Sequence, residues 1–558
     1  FGITDDEFRR AIDRFEAASV QRQEQKNTAQ DVFFVEQIVS HHLAGGHLMS
    51  PDQQFVVEAG ILDRLNKQDL EQALAERTAV APIVLVVGPD DLSASVPNAD
   101  RILRIVAEVE DAVVVARDAD DEGIDTLMAT PQPAEVLSRS KDPSYEYTTL
   151  TYPNGATVYL WPSDIAESGV FMLAESFGGT SLVAIEDLPE ISLISDVLAR
   201  SGVGPADAPT LQRLLSDRLV DVFPWMTETR EGLTGSAATA DVETMFQLVH
   251  LYLTAPRFDP VAVDAVLAEV ATLNQDRADI PDIRFDEALN EGYYSGDPRY
   301  FVLPTDEQLS DFDVEAMDRV YRERYGNAGD FAFAFVGDFS IAEMTDLASR
   351  YIGTLPGNSE LETWVDNQPL PPREIQVIPF EAGADPQGQI GLFFTNEFQP
   401  VLADRVTAQL LQLIVDARLR DRIREGLSAT YSIRSGIDLQ RDPDPFAEAF
   451  VISTGNPQDL GRISEEVMAD LVDLQVNGPT DRQFETAREQ LRTEMDLIDN
   501  LTLAEALTTA FLYPDQPVSD LTRRHLIVDT ITSRDVRDLA RVVFNPNQRI
   551  EVRQGPGS

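Results

Sequence analysis

Apolar residues recur along this chain with helical spacing, and one such pattern occurs twice. Phe8, Ala11, Ile12 and Phe15 form one stripe, and Phe484, Ala487 and Leu491 form another. Each opens on a similar segment, Gly2-Ile3-Thr4-Asp5-Asp6-Glu7-Phe8 in the first and Gly478-Pro479-Thr480-Asp481-Arg482-Gln483-Phe484 in the second. Thr4 with Glu7, and Thr480 with Gln483, have capping-box spacing, in which hydroxyl and longer side chain each satisfy an amide at a helix start. A second match follows in the same order. Ile61-Leu62-Asp63-Arg64-Leu65 answers Ile527-Val528-Asp529-Thr530-Ile531, and Asp69-Leu70 answers Asp535-Val536. Two ordered matches with one indel between them indicate a repeated module. Residues 1–90 are therefore expected to be the C-terminal part of a truncated domain whose fuller copy closes the chain, with its front, and any chemistry there, upstream of Phe1.

Elsewhere the period changes. Helical patterning in 1–90 gives way to an expected strand over 82–87. Residues 91–145, with the acidic run Asp118-Ala119-Asp120-Asp121-Glu122, read as a linker. Alternation at 149–152 and 156–159 around Pro153-Asn154-Gly155 predicts a hairpin. A strand at 170–173 leads into Phe177-Gly178-Gly179-Thr180, a turn or bulge whose glycines also suit close approach of a peptide backbone. Helical patterns follow at 187–201, 207–218 and 240–254. Residues 331–336 alternate as a strand, and Ser340 with Glu343 caps the next helix. Prolines mark a linker at 355–372. A strand at 389–394, a long apolar helix at 405–424, helices at 480–500 and 534–542, and a strand at 549–552 complete the pattern. Strands and helices come in sets, which points to an α+β fold: repeated modules of a mostly antiparallel sheet packed by helices.

Composition narrows the function. The 558 residues include 96 acidic and 44 basic side chains, a net charge of −52. That field repels a phosphate backbone, which argues against nucleic-acid partners, and favours cationic peptides or plain solubility. The chain has no cysteine, so thiol catalysis and disulfides are excluded. The apolar run at 83–87 is too short to cross a bilayer, and no membrane span is expected.

Three features in order carry a resemblance. They are the Asn154-Gly155 hairpin, the Val336-Gly337-Asp338 step into a capped helix ending Gly353-Thr354-Leu355-Pro356, and the segment Arg420-Asp421-Arg422-Ile423-Arg424-Glu425-Gly426-Leu427-Ser428-Ala429-Thr430-Tyr431-Ser432. Together with the repeat they resemble the pitrilysin/insulinase family of zinc metallopeptidases, the inverzincins. The resemblance implies clamshell-type domains. Residues 1–90 correspond to the end of a second domain, 91–145 to the linker between halves, 146–357 to a third domain and 370–552 to a fourth.

In that family the first domain carries His-x-x-Glu-His on a helix, with a later Glu completing the zinc site. None of the five histidines here, His41, His42, His47, His250 and His525, forms that motif. On the corresponding stretch, 189–201, an approximate register puts Leu193, Asp196 and Val197 at the His, Glu and His positions. Glu269 falls near the third-ligand position. This domain is thus expected to be catalytically silent, with no metal in this chain and zinc only in the complete enzyme. The His41-His42-Leu43-Ala44-Gly45-Gly46-His47 cluster reads as a polar helix end, where imidazoles meet terminal carbonyls.

The resemblance also implies roles for two residues. An Arg and a Tyr seven positions apart on the family's fourth domain reach across to the substrate, and Arg424 and Tyr431 match them. Tyr431 is the catalytic candidate, a phenol that donates to a developing oxyanion. Arg424 is the substrate-binding candidate, a fork for a peptide carbonyl. The reading that results is a non-catalytic, substrate-binding half of a zinc metalloendopeptidase acting on peptides or unfolded proteins. Its zinc-bearing half would lie upstream or on a partner chain, and the setting would be periplasmic. The alternatives are a proteolytically inactive binding or assembly subunit of the same fold, and a hydrolase built on the 41–47 histidines.

Overall fold

A computed structural model describes residues 3–24, 26, 31–78, 83–85, 98–110, 124, 126–165, 169–369, 372–383, 388–425 and 430–555. The chain divides into two compact units, one of residues 1–127 with 209–219 and one of 128–208 with 220–558.

The first unit contains helices Asp5–Glu24, Asp31–Ala44, Pro51–Leu62, Lys67–Thr78 and Ala99–Glu110. The first four repeat, in order, the helices Asp481–Asp496, Asn500–Leu512, Asp520–Val528 and Ser533–Val543 of the second unit. The caps repeat as well. Glu7 N–H donates to Thr4 Oγ1 at 3.1 Å, as Gln483 N–H does to Thr480 Oγ1 at 3.3 Å. Asn66 and Asp69 exchange amide hydrogen bonds at 3.0 and 3.2 Å where Thr532 and Asp535 do so at 2.8 and 3.3 Å. Packing differs between the copies. Phe484, Ala487, Leu491 and Met495 are core residues, whereas Ser19 and Leu127 are the only buried side chains among the described residues of 1–127. Apolar residues such as Val35, Ile38, Leu43 and Val56 stay exposed. Of the strand expected at 82–87, Ile83, Val84 and Leu85 are exposed and in no strand, and the rest lies outside the described residues.

The second unit holds two sheets. Strands β1 (Ser138–Lys141), β2 (Thr148–Thr151), β3 (Thr157–Pro162), β4 (Gly169–Phe177), β5 (Val220–Met226), β6 (Arg230–Ala238) and β7 (Ala332–Gly337) form a seven-stranded sheet in the order β1-β2-β3-β7-β4-β6-β5. Strands β8 (Ile375–Phe380), β9 (Gly388–Glu397), β10 (Thr430–Leu439), β11 (Phe446–Gly455) and β12 (Arg549–Gln554) form a five-stranded sheet in the order β10-β11-β9-β12-β8. Each sheet is antiparallel except for one parallel pair, β3 with β7 and β8 with β12. The predicted hairpin is β2–β3. Its buried Asn154 also donates from Nδ2 to the carbonyls of Ile352 at 2.9 Å and Leu355 at 3.0 Å, tying the turn to the end of helix Ile341–Tyr351.

Both sheets are covered on both faces, and each module supplies a helix to the other. Helix Asn500–Leu512 buries Leu503, Ala504 and Leu507 against Leu173, Ala334 and Val336 of the seven-stranded sheet. Helix Pro281–Tyr294 buries Phe285 and Ala288 against Phe380, Phe393, Ile550 and Val552 of the five-stranded sheet. This explains why all six residues of β7 are buried: Phe335 stacks on Phe246 of helix Val242–Thr254 at 4.5 Å on one side, and Ala334 and Val336 meet the donated helix on the other.

Candidate functional site

The stretch read as the counterpart of a zinc helix is broken. It forms Leu188–Ser192 and Ile194–Ser201, with Leu193 at φ −100° between them. Leu193 is 4% and Val197 1% exposed, so both face the core, while Asp196 faces solvent. Glu269, on helix Pro260–Asp276, lies 2.8 Å from Arg200 in a partly exposed ion pair. Two buried aliphatic side chains offer no lone pair, and the remaining carboxylate already faces a guanidinium. These residues do not fit zinc.

The other histidine cluster ends a helix. His41 Nδ1 contacts the carbonyl of Gly46 just beyond the end of Asp31–Ala44. His42 and His47 are exposed.

The Gly178-Gly179 step covers a buried charge network that sequence reasoning missed. Glu231 on β6 is fully buried, accepts from the Gly179 N–H, and accepts from Ser176 Oγ at 3.2 Å. Arg324, on helix Val314–Tyr325, reaches Glu231 at 3.6 Å and Glu362 at 2.7 Å. The Glu362 N–H donates to buried Asp330 at 2.7 Å. A Cβ on Gly178 would stand 2.4 Å from Arg324 Nη1, and Gly178 holds φ +138°, so glycine leaves the guanidinium its place. Burial pushes Glu231 up to about 8, against the pull of Arg324 and the Gly179 N–H, and pushes Asp330 up to about 6. Glu231, Asp330 and Glu362 are close enough together to hold a metal ion, but Arg324 supplies the positive charge there. The one sequence signal was a glutamate at the second position of the strand, followed by small and apolar residues for the most part.

Arg424 and Tyr431 sit on neighbouring elements. Helix Leu402–Leu419 continues as a π-helical segment, Arg420–Glu425, which carries Arg424. Tyr431 is the second residue of β10, at a register shift between Thr430 and Ser432. Gly426 and its neighbours to residue 429 lie outside the described residues. The helix end is anchored. Arg418 is buried and pairs with Asp470 and Asp473, each at 2.8 Å, and Arg422 pairs with Glu466 at 2.9 Å, all on helix Leu460–Asn477. Beside the segment is a cavity of about 360 Å³ lined by Asp416, Arg420, Ser432, Arg434 and Ser435. Ser435 Oγ donates to Asp416 Oδ1 at 2.6 Å, linking strand to helix. π-Helical turns occur often at functional sites, and a strand entered through a bulge re-aims its side chains.

The repeated modules with helix-covered, mostly antiparallel sheets match the clamshell-type α+β fold expected from the sequence. Residues 311–491 match the family described as the peptidase M16 inactive domain. It is similar to the "Probable zinc protease PqqL" of Haemophilus influenzae, at 20% identity over 377 residues, covering 67% of this chain and 40% of the relative. The periplasmic protease PqqL from Escherichia coli shares the fold with a TM-score of 0.67 at 17% identity, over 99% of this chain and 61% of that one. A peptidase M16 inactive domain from Pseudomonas fluorescens aligns with a TM-score of 0.62 at 16% identity, over 74% of this chain and 98% of that one. The chain thus spans less than two thirds of the length of each of the first two. No described helix is long and apolar enough to cross a membrane.

Proposed function

We propose that this chain is the non-catalytic, substrate-binding half of a zinc metalloendopeptidase that acts on peptides or unfolded proteins. The carrying observation is the buried pair Leu193 and Val197, core residues at the register where a working zinc helix needs imidazoles, in a chain whose residues 311–491 match the M16 inactive domain. A zinc-bearing half, upstream on the same polypeptide or on a partner chain, supplies the metal chemistry. Arg424 holds a peptide carbonyl of the bound substrate. Tyr431 donates its phenolic proton in a hydrogen bond to the oxygen that gains charge as the peptide bond is attacked. The relatives named as zinc proteases support the zinc assignment for the whole enzyme, and the periplasmic neighbour supports a periplasmic setting.

The repeat supports the partner half independently. Helix Asn500–Leu512 is buried on a sheet of a neighbouring module, while its counterpart in order, Asp31–Ala44, exposes Val35, Ile38, Val39 and Leu43. An apolar helix face of that kind calls for a covering surface. A sheet of the zinc-bearing half is the matching one.

The test combines the chain with a zinc-bearing M16 half. Peptide cleavage should need both. Tyr431→Phe should lower kcat by about 10- to 1000-fold, and Arg424→Ala should also raise KM. Cleavage by the zinc half at the same rate without this chain would favour an inert assembly subunit instead.

A further inference from the structure

A second cavity, of about 410 Å³, lies where the end of helix Pro281–Tyr294 meets the open part of β10 and β11. Its size is within the range of pockets that take a small ligand group. Its walls are aromatic: Tyr293, Tyr294, Phe393 and Phe450. Tyr293 meets Phe393 edge to face at 6.2 Å, and Tyr294 is braced from behind by Tyr300, stacked at 3.7 Å. Gly436 keeps the cavity open on the strand side, since a Cβ there would come within 2.3 Å of the Phe450 ring.

The polar groups in this cavity carry one sign. Asp438 on β10 and Glu448 on β11 are direct cross-strand partners. Like charges placed opposite each other oppose strand pairing, and burying one of them adds to the penalty. Glu448 is partly buried and accepts one neutral hydrogen bond, from Gln440 Nε2 at 2.7 Å; Asp438 is exposed at the rim. Neither carboxylate has an ion-pair partner among the described residues. The nearest basic residue along β10, Arg434, lies over the Phe450 ring at 5.9 Å and acts on Asp286 of the facing helix. The Tyr293 hydroxyl makes no hydrogen bond among the described residues, and it shares the cavity with Glu448. Aromatic faces and two uncompensated carboxylates around one space are complementary to an organic cation on an apolar stem.

We propose that this cavity binds the side chain of a lysine or arginine in the peptide held by this half, its stem between the aromatic rings and its charge against Asp438 and Glu448. The inference rests on the peptide-binding reading above and adds a preference for basic residues.

Fluorescence anisotropy of the full chain with labelled peptides that differ at one position tests it. Lysine and arginine peptides are expected to bind about tenfold more tightly than the norleucine peptide, the size of a desolvated cation–aromatic contact plus its ion pair. The double variant Asp438→Asn/Glu448→Gln should abolish that preference and leave norleucine binding unchanged. A charge-matched control at exposed sites, Glu186→Gln/Glu323→Gln, should keep it. Equal affinity for all peptides, or equal loss in the control, overturns the pocket while leaving peptide binding intact. If no peptide binds at all, the peptide-binding reading fails, and titration with N-acetyl-arginine methylamide decides the pocket alone. Binding to the native chain and not to the double variant supports it; no binding overturns it.

Discussion

Arg200 and Glu269 form a 2.8 Å ion pair that joins helix Ile194–Ser201 to helix Pro260–Asp276. The carboxylate near a third-ligand register therefore has a structural partner, and the two positions that would need imidazoles lie inside the core. The pair is partly exposed, so Arg200→Ala should cost less than about 1 kcal/mol. Leu193→Ala should cost about 2–5 kcal/mol, because it leaves a cavity under the broken helix. Urea denaturation monitored by circular dichroism measures both. A large loss with Arg200→Ala and none with Leu193→Ala would mean that this region is held by charge and not by packing.

The exchange of helices between modules makes a second prediction. Leu507 is fully buried, in a cluster that includes Leu173, Ala334 and Val336 of the seven-stranded sheet. Leu507→Ala should destabilise by about 2–5 kcal/mol in a single transition shared by both sheets. A chain stopped after residue 357 should fail to give a cooperative transition, since Ala334 and Val336 would face water. Two separate transitions in calorimetry, with only the later module affected by Leu507→Ala, would contradict this.

Much of this layout was legible locally and little of it globally. The Asn154-Gly155 hairpin, the Thr480 and Ser340 caps and the strand now seen as β7 followed from spacing and turn chemistry. The cover on the second face of β7 did not, because the helix that supplies it lies about 170 residues away in sequence and no local pattern encodes that contact. Glu231 and Glu448 were missed for a related reason. A carboxylate inside a strand reads as a solvent-facing position until a helix from elsewhere is placed over it. The expected strand over 82–87 shows the reverse case. Its apolar run satisfies the pattern, but a strand also needs hydrogen-bonding neighbours, which β12 finds in β8 and β9 and which Ile83–Leu85 lacks among the described residues.

The buried carboxylates set a pH dependence. Burial raises Glu231 to about 8, Glu448 to about 7 and Asp330 to about 6 in the folded chain, from ordinary values of 4.5, 4.5 and 3.8. Between each ordinary and raised value the folded state holds a proton that the unfolded state has released, so stability falls as pH rises through that window. It should be greatest near pH 4–5 and decline to about pH 8. Thermal melts of Glu231→Gln and Glu448→Gln should each show a shallower decline than the native chain. Unchanged slopes would show that both groups are already ionised in the fold.

The two copies of the capped helix also differ in a measurable way. Thr480→Ala removes the hydroxyl that accepts from Gln483 N–H at the start of a helix packed in the core, and should lower global stability by about 1 kcal/mol. Thr4→Ala removes the same cap from a helix whose only described buried side chain is Ser19. It should leave the main transition unmoved and speed amide hydrogen exchange in Asp5–Glu24. Equal effects on the main transition would mean that the first unit folds cooperatively with the second.

Whether this half holds substrate without cutting it is decided by incubating the full chain with a labelled unfolded polypeptide and excess zinc, and following binding by anisotropy and the polypeptide by mass spectrometry. Saturable binding with the polypeptide left intact is expected. Cleavage that is abolished by chelation, or the absence of any binding, would contradict it.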